Sequence, residues 1–464
     1  MQRTLARETP QKIGETVTIK GWVAVRRDHG KLIFIDARDR SGTVQVVFTP
    51  QTGSAYEKAQ EIRPEWVVEI TGTVQKRPKG METEGQTGAV EIAAQELAVL
   101  SEANTMPFPI DTAGYDIDEE TRLKYRYLDL RRPRLQKNLA LRSEYVRSAR
   151  EFLFGRGFTE IETPLLTKST PEGSRDFVVP SRVYPGKFYA LPQSPQQYKQ
   201  LLMVAGVERY FQIARCLRDE DPRADRVFEH TQIDIEMSFA SQEEVMETVE
   251  SMVAHAAEKI GATIAKKPFP IFTYKEAMEQ FHADKFDLRN EQEKKENILK
   301  FAWVVQFPFF EKDKEGNWTF THNPFSAPLT EEHEQWLLEG KNIGEIVTSQ
   351  YDLVCNGLEV GGGSIRAHRP EVLKATLRVL GYNDEAIEQQ FGHMLEALSY
   401  GAPPHGGCAH GFERLLMAYL GEEYIREVQA FPQTGKGRTS VMDAPSELDE
   451  KQLAELQLSV QKKK

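Results

Sequence analysis

The stretch that most limits what this chain can fold into ends in strict alternation, Ile233, Asp234, Ile235, Glu236, Met237. That period reads as a half-buried strand with an acidic face. An apolar, strand-like run, Arg209-Tyr-Phe-Gln-Ile-Ala-Arg-Cys, precedes it. Between the two lies a dense charged loop from Arg218 to Arg226, with Pro222 inside it. Two antiparallel strands joined by a charged loop are ordinary; acid on the sheet itself is not. Asp234 and Glu236 point the same way, and Arg218 stands near the end of the preceding strand. An arginine and two carboxylates on one sheet surface suit a ligand that carries phosphate, carboxylate and ammonium together. A solvated hairpin with surface ion pairs also accounts for the stretch, because surface charge costs little.

A chain of 464 residues has room for two to four domains and a large core. Its net charge of −11 advertises no nucleic acid globally, so any such binding must come from a local patch. The cysteines, Cys216, Cys355 and Cys408, are odd in number and form no C-x-x-C. They argue against a disulfide framework or a thiolate zinc site and for a reducing compartment. The start of the sequence has no apolar signal region, and no apolar run approaches membrane length, so a cytoplasmic protein is expected.

Residues 16–100 read as all-β: runs beginning at Thr16, Lys31, Gly42, Trp66 and Ala89, with a helical stretch Ser54–Ile62 after the third. Five strands with one helix between the third and fourth fit an OB-fold barrel, whose common ligand is single-stranded nucleic acid. Arg26, Arg27, His29, Lys31, Phe34 and Gln45 cluster on the early strands, offering the cations, ring and amide that splayed bases need. A small barrel with a charged rim remains the plainer alternative. Residues 105–138 read as a hinge. Within it Arg122-Leu-Lys-Tyr-Arg-Tyr-Leu-Asp-Leu-Arg-Arg-Pro interleaves cations with aromatics, either as a patch for a phosphate backbone or as a helical segment pairing with acidic neighbours.

A long amphipathic helix is expected from Leu139 to about Gly155, then an extended segment broken at Pro164. Gln193–Gln196 fall at a strand-to-helix turn, with Lys199 one turn into the helix. Gly361–Gly363 lie in a strand pair with Asp352, Glu359 and Arg366, where backbone can approach a ligand or another strand closely. Arg414 sits in the first turn of an apolar helix after a glycine-rich strand. No Ser-His-Asp grouping stands out, and the glycines form neither a Rossmann nor a Walker loop. A bound nucleotide must then lie on an antiparallel sheet, held by arginines and a divalent ion, for which Asp352 and Glu359 supply hard oxygen ligands.

Taken together, these segments resemble the class II aminoacyl-tRNA synthetases, and within them the aspartyl-tRNA synthetases of bacterial type. Gly157–Pro164 resembles motif 1, Phe211–Phe239 motif 2 and Gly411-Phe-Glu-Arg motif 3. Thr170-Pro-Glu-Gly-Ser-Arg-Asp-Phe, Gln193-Ser-Pro-Gln and Phe431-Pro-Gln-Thr-Gly are similar to markers of the aspartate branch. The resemblance covers nearly the whole chain. It implies an α+β multidomain protein: an OB-fold anticodon-binding domain over 1–104, a hinge over 105–138, a class II catalytic domain over 139–446 and a tail over 447–464.

The implied reaction is ATP-dependent attachment of aspartate to tRNA through an aspartyl-adenylate, with Mg²⁺. Arg218 would hold the α-phosphate and the aspartate carboxyl, and Arg414 the γ-phosphate. Glu220, His230, Glu359, Gly411, Phe412 and Glu413 would complete the ATP site, and Asp352 with Glu359 would carry the metal. Glu172, Gln196 and Asp234 would hold or orient the α-ammonium, Lys199 and Arg366 the β-carboxylate, and His322 would close over the substrate. Arg27, Phe34, Gln45 and Glu91 match positions used to read anticodon bases. A homodimer would form through 157–164.

Three departures from the family pattern stand out. The large insertion that the bacterial family carries after Asp284-Lys-x-Asp-Leu-Arg is missing, and 284–300 is a short charged connection. His230 stands where the family stacks phenylalanine on adenine. His29 is similar to the type that also charges tRNA-Asn. An asparaginyl-tRNA synthetase-like paralogue and a non-catalytic tRNA-binding relative are the competing expectations.

Overall fold

The computed structural model of the chain describes residues 2–169 and 173–461. It divides into two compact units, Met1–Pro109 and Ile110–Lys464.

The first unit is a closed barrel in the order β1-β2-β3-β5-β4. Its strands are β1 (Thr16–His29), β2 (Leu32–Asp39), β3 (Gly42–Phe48), β4 (Val67–Lys76) and β5 (Val90–Ser101). Alternation turns Val17, Ile19, Val23, Ile35, Val46, Ile70 and Ile92 into the barrel core. The helix between β3 and β4, Ser54–Glu61, packs Ala55 and Ala59 against that core. The last strand is longer than its β-branched start suggests. A register shift beside Gly72 breaks its period, so alternation past Ala93 does not show in the sequence. Gly72 is required there, since a Cβ would stand 2.3 Å from the Ala93 carbonyl oxygen.

The second unit is built on an eight-stranded sheet, ordered β11-β12-β15-β16-β17-β10-β9-β6. In chain order its strands and two small hairpins are β6 (Thr159–Glu160), β7 (Val178–Pro180), β8 (Phe188–Ala190), β9 (Arg209–Leu217), β10 (Glu229–Ser238), β11 (Ile271–Thr273), β12 (Phe301–Val305), β13 (Phe310–Lys312), β14 (Trp318–Phe320), β15 (Gln350–Cys355), β16 (Leu358–Ile365) and β17 (His405–His410). The β7–β8 and β13–β14 pairs stand outside the large sheet. Within it only the edge pairings β6–β9 and β11–β12 are parallel.

The alternating stretch is therefore β10, and it is central, between β9 and β17. This corrects the half-buried expectation. Ile233, Ile235 and Met237 enter the main core, but Asp234 and Glu236 are also buried, at 1% and 0% exposure. One side of the sheet is covered by the helices Pro133–Gly155 and Gln242–Lys259, whose Tyr145, Leu153, Val249 and Met252 join the same core as Ile235. The first helix begins six residues before the apolar period does, because Pro133 occupies its first turn, where a missing N–H is harmless.

In the cation-rich stretch at 122–134, Arg122, Arg126 and Arg132 are buried. Arg122, Arg126 and Arg132 surround Asp129 at 3.0, 2.6 and 2.6 Å, and Arg122 also meets Glu427 at 2.9 Å. Burial alone would raise the Asp129 carboxyl, but hydrogen bonds from Arg122 and Arg132 hold it below the ordinary aspartate value. Pairing with acidic neighbours, not a phosphate-binding patch, is what Arg122, Arg126 and Arg132 do here.

Candidate active site

The buried carboxylates of β10 are matched by two buried cations from other elements. Lys199, on the helix Gln196–Val204, places Nζ 2.6 Å from Asp234 Oδ1 and 3.2 Å from Glu236 Oε2. Arg366, just past β16, donates from Nε to Glu236 Oε1 at 2.8 Å and from Nη2 to Glu236 Oε2 at 3.1 Å. Burial would raise Glu236, yet Arg366 first and Lys199 second bring its pKa down to about 2. Asp234 moves the other way: burial lifts it above the usual carboxylate value despite Lys199. Its Oδ2 is buried and makes no hydrogen bond among the described residues, so it is ready for a cationic donor.

Lys199, Asp234 and Arg366 open onto one cavity of about 310 Å³, with Glu236 behind them. Lys199, Arg218, Arg366 and Arg414 all line it, with Gln196, Glu220, His230, Asp234, His322, Asp352, Glu359, Gly411 and Glu413. Four cations separated by more than two hundred residues thus face one space. Arg218 makes no salt bridge among the described residues; its Nε donates to the Gln193 carbonyl at a long 3.4 Å. Arg414 is held by backbone oxygens of Asp225 and Glu359 at 3.3 and 3.2 Å, leaving an anion clamp with spare donors. Glu220 is engaged by Ser174 and, at 2.8 Å, by Arg226. His230 stays neutral: burial, then the charges of Arg218, Arg414 and Arg215, bring its pKa down to about 3. A neutral imidazole lining the cavity offers a stackable ring.

Glycines clear the floor of this cavity. A Cβ on Gly407 would lie 2.1 Å from Glu236 Oε2, and one on Gly363 2.0 Å from the Gly407 oxygen. At Gly362 it would meet Asp352 Oδ1 at 2.9 Å and Glu359 Oε1 at 3.6 Å. The glycine run serves a bulge and a close approach at once, since the β15–β16 register shifts beside Leu353.

Asp352 and Glu359 thus converge over Gly362. Asp352 Oδ1 accepts from Gln350 at 3.1 Å, whereas its buried Oδ2 has no hydrogen-bond partner among the described residues. Burial and then the charge of Glu359 push Asp352 well above the usual carboxylate value. A divalent ion would relieve that strain. Two carboxylates are what Mg²⁺ needs from a protein when phosphates and water complete its shell. No group of three or more potential ligands could hold a metal alone among the described residues.

Not every expected residue faces the cavity. Phe412 turns into the core, stacked on Tyr145 at 5.8 Å with Arg142 over its ring, although Gly411 and Glu413 beside it line the site. Glu413 is itself occupied by Arg142, Gln429 and the Thr231 N–H. Glu172 lies outside the described residues. The anchor of Arg366, Glu236, was visible in the alternation as clearly as Asp234. Asp225, which pairs with Arg414 at 3.3 Å, lay unmarked in the charged loop.

On the barrel, Arg27, Gln45 and Glu91 form one polar chain. Arg27 bonds Asp36 at 2.8 Å and Gln45 at 3.3 Å, and Gln45 donates to Glu91 at 2.8 Å. Phe34 is paired across from Arg27, and His29 stands exposed at the end of β1 opposite Leu32. A cation, a half-buried ring and amides on one barrel surface are a stacking and hydrogen-bonding platform.

Comparison with known proteins agrees with both surfaces. Residues 118–435 match the family of tRNA synthetases class II (D, K and N), and residues 17–100 the OB-fold nucleic acid binding domain. The chain is 40% identical to an aspartate–tRNA(Asp/Asn) ligase from Caldanaerobacter subterraneus, over 97% of this chain and 96% of that one. A ligase of the same name from Rubrobacter xylanophilus is also 40% identical, over 97% and 95%. The alignment with the first runs to 573 positions against 464 residues here, so the relative carries segments that this chain lacks. Among solved structures, the asparaginyl-tRNA synthetase of Pyrococcus horikoshii with asparaginyl-adenylate superposes with a TM-score of 0.76 at 22% identity, over 94% of this chain and 98% of that one. The aspartyl-tRNA synthetase of Entamoeba histolytica gives 0.72 at 24%, over 93% and 91%. With a family match across most of its length and near-full-length relatives at 40% identity, the chain belongs to the class II tRNA synthetases of the D, K and N group.

Proposed function

We propose that the chain activates L-aspartate with ATP and transfers it to both tRNA-Asp and tRNA-Asn. The observation that carries this reading is the Lys199–Asp234–Glu236–Arg366 network, whose Lys199, Asp234 and Arg366 line one cavity with Arg218 and Arg414. The aspartate carboxylate is itself the nucleophile, so the protein's task is to position and to balance charge. Arg218, without a salt bridge among the described residues, is suited to bind the α-phosphate and the attacking carboxylate as charge builds on phosphorus. Arg414 is suited to the γ-phosphate, His230 to stack on adenine, and Glu220 to accept from its amino group. Asp234 Oδ2 is suited to the α-ammonium, with Gln196 beside it. Lys199 and Arg366, locked in place by Glu236, are suited to the β-carboxylate, and His322 to cover it. Mg²⁺, held by Asp352 and Glu359, would neutralise phosphate charge.

Asparagine lacks the anionic acceptor that Lys199 and Arg366 would bind, and its amide would set N–H donors against those cationic donors. ATP–pyrophosphate exchange supported by aspartate, with asparagine at least about a hundredfold weaker, is the expected result. Equal exchange with asparagine would refute the amino-acid assignment. The barrel platform of Arg27, Phe34, Gln45 and Glu91, with His29 at its rim, supports anticodon reading and dual tRNA use.

Self-association is part of the same reading. β6 is a two-residue edge strand, followed by Leu165 and Leu166 at 50% and 53% exposure. An edge with adjoining apolar side chains suits a second copy. Light scattering should give twice the 52.9 kDa chain mass, and a monomer at micromolar concentration would exclude the dimer.

A further inference from the structure

The short connection that begins at residue 284 brings one more cation to the site. Phe286 anchors it: its ring is buried, stacked on Phe281 at 4.1 Å, and its carbonyl accepts from the Gly357 N–H at 3.1 Å. That anchor sets the preceding residue against β16, where Lys285 Nζ lies 2.8 Å from Glu359 Oε2. The contrast with the other lysine of the site is informative. Lys199 is 2% exposed and boxed in by two carboxylates, whereas Lys285 is 43% exposed and has one ion-pair partner among the described residues. One is fixed; the other has a flexible stem and room to move. Its partner, Glu359, lines the cavity and converges with Asp352, whose Oδ2 has no hydrogen bond among the described residues. On the far side, Arg414 already grips the Glu359 carbonyl at 3.2 Å.

We propose that Lys285 is a polyphosphate-positioning residue that doubles as the resident counter-cation of the Asp352–Glu359 pair. Without nucleotide, its ammonium neutralises Glu359 and competes with any divalent ion for that carboxylate. When a nucleotide polyphosphate enters with its divalent ion, Asp352 and Glu359 would hold the ion and the Lys285 ammonium would move to a non-bridging phosphate oxygen. No covalent bond changes. The exchange leaves Glu359 with a cationic partner in both states, as a carboxylate beside buried Asp352 requires. This inference rests on the ATP-dependent reading above and adds a residue to it.

The test uses the full-length protein with Lys285→Met and Lys285→Arg. Binding of Mn²⁺ without nucleotide is read by electron paramagnetic resonance, and binding of ATP at fixed Mg²⁺ by calorimetry. Lys285→Met should bind Mn²⁺ several-fold more tightly, because the competing ammonium is gone, and ATP about tenfold more weakly, the loss of one charge-assisted contact. Lys285→Arg should restore ATP affinity to within about threefold. A plain surface ion pair would move neither quantity. Unchanged Mn²⁺ affinity, or unchanged ATP affinity, in Lys285→Met overturns the proposal; Lys285→Gln serves as the second neutral variant if the methionine form does not fold. Wild-type protein that binds ATP and Mn²⁺ but does not activate aspartate would refute the proposed function instead, and the comparison between variants would still read out on Lys285.

Discussion

At the scale of single residues, charge placement inside the sheet is what sets this protein apart from an ordinary antiparallel fold. Glu236 illustrates the cost and the compensation. A carboxylate at 0% exposure would normally take up a proton, and two cations from distant elements prevent it. The consequence for stability has a definite sign. Glu236 is depressed from 4.5 to about 2, so its contribution is complete above about pH 4.5 and is lost as pH falls from there towards 2. The shift corresponds to about 3 kcal/mol. We expect Glu236→Gln to unfold at lower denaturant at pH 7 and to show a flatter acid limb between pH 4.5 and 2. An acid limb identical to that of the unsubstituted protein would show that Glu236 is not held ionised by Arg366 and Lys199. The alternation made Asp234 and Glu236 visible in the sequence as a pair. It could not show that the strand is central, because that depends on β9 and β17 pairing along its two edges, and β17 lies 167 or more positions further on.

At the scale of elements, the glycines of β16 and β17 and the arginines at 122–132 do the shaping. A glycine-rich strand reads as weak, yet at Gly362, Gly363 and Gly407 the missing Cβ makes room for a carboxylate or a neighbouring carbonyl. The arginine stretch invited a nucleic-acid reading because aromatics interleave it. Its true partners, Asp129 and Glu427, are one turn away and some three hundred residues away, and only the first was in sight. Removing the hub should be costly: Asp129→Ala leaves three buried guanidinium groups short of a counter-charge and should destabilise by about 3–5 kcal/mol in equilibrium unfolding. A loss below about 1 kcal/mol would mean that the network is hydrated or relaxes easily. The barrel was the easiest element to read, since five short alternating runs and one helix leave few arrangements. Its fifth strand was cut short in that reading by the bulge beside Gly72.

At the scale of the molecule, one compact unit carries the Arg27–Gln45–Glu91 polar chain and the other the charge-lined cavity. No helix among the described residues is long and apolar enough to cross a membrane. The convergence of Lys199, Arg218, Arg366 and Arg414 was legible only through motif resemblance. Spacing alone cannot bring residues 199 and 414 to one face, whereas the sheet order does so at once. The segment from 284 to 300 shows the reverse: its sequence looked like a mere surface connection, and its Lys285 proves to reach Glu359. The central claim, that this cavity loads aspartate and the barrel accepts two anticodons, is tested most directly by aminoacylation of tRNA-Asp and tRNA-Asn transcripts by the purified protein with labelled aspartate. We expect aspartyl-tRNA from both, with kcat/KM values within about tenfold of each other. Charging of tRNA-Asp alone would contradict dual recognition, and charging of neither would contradict the account of the site itself.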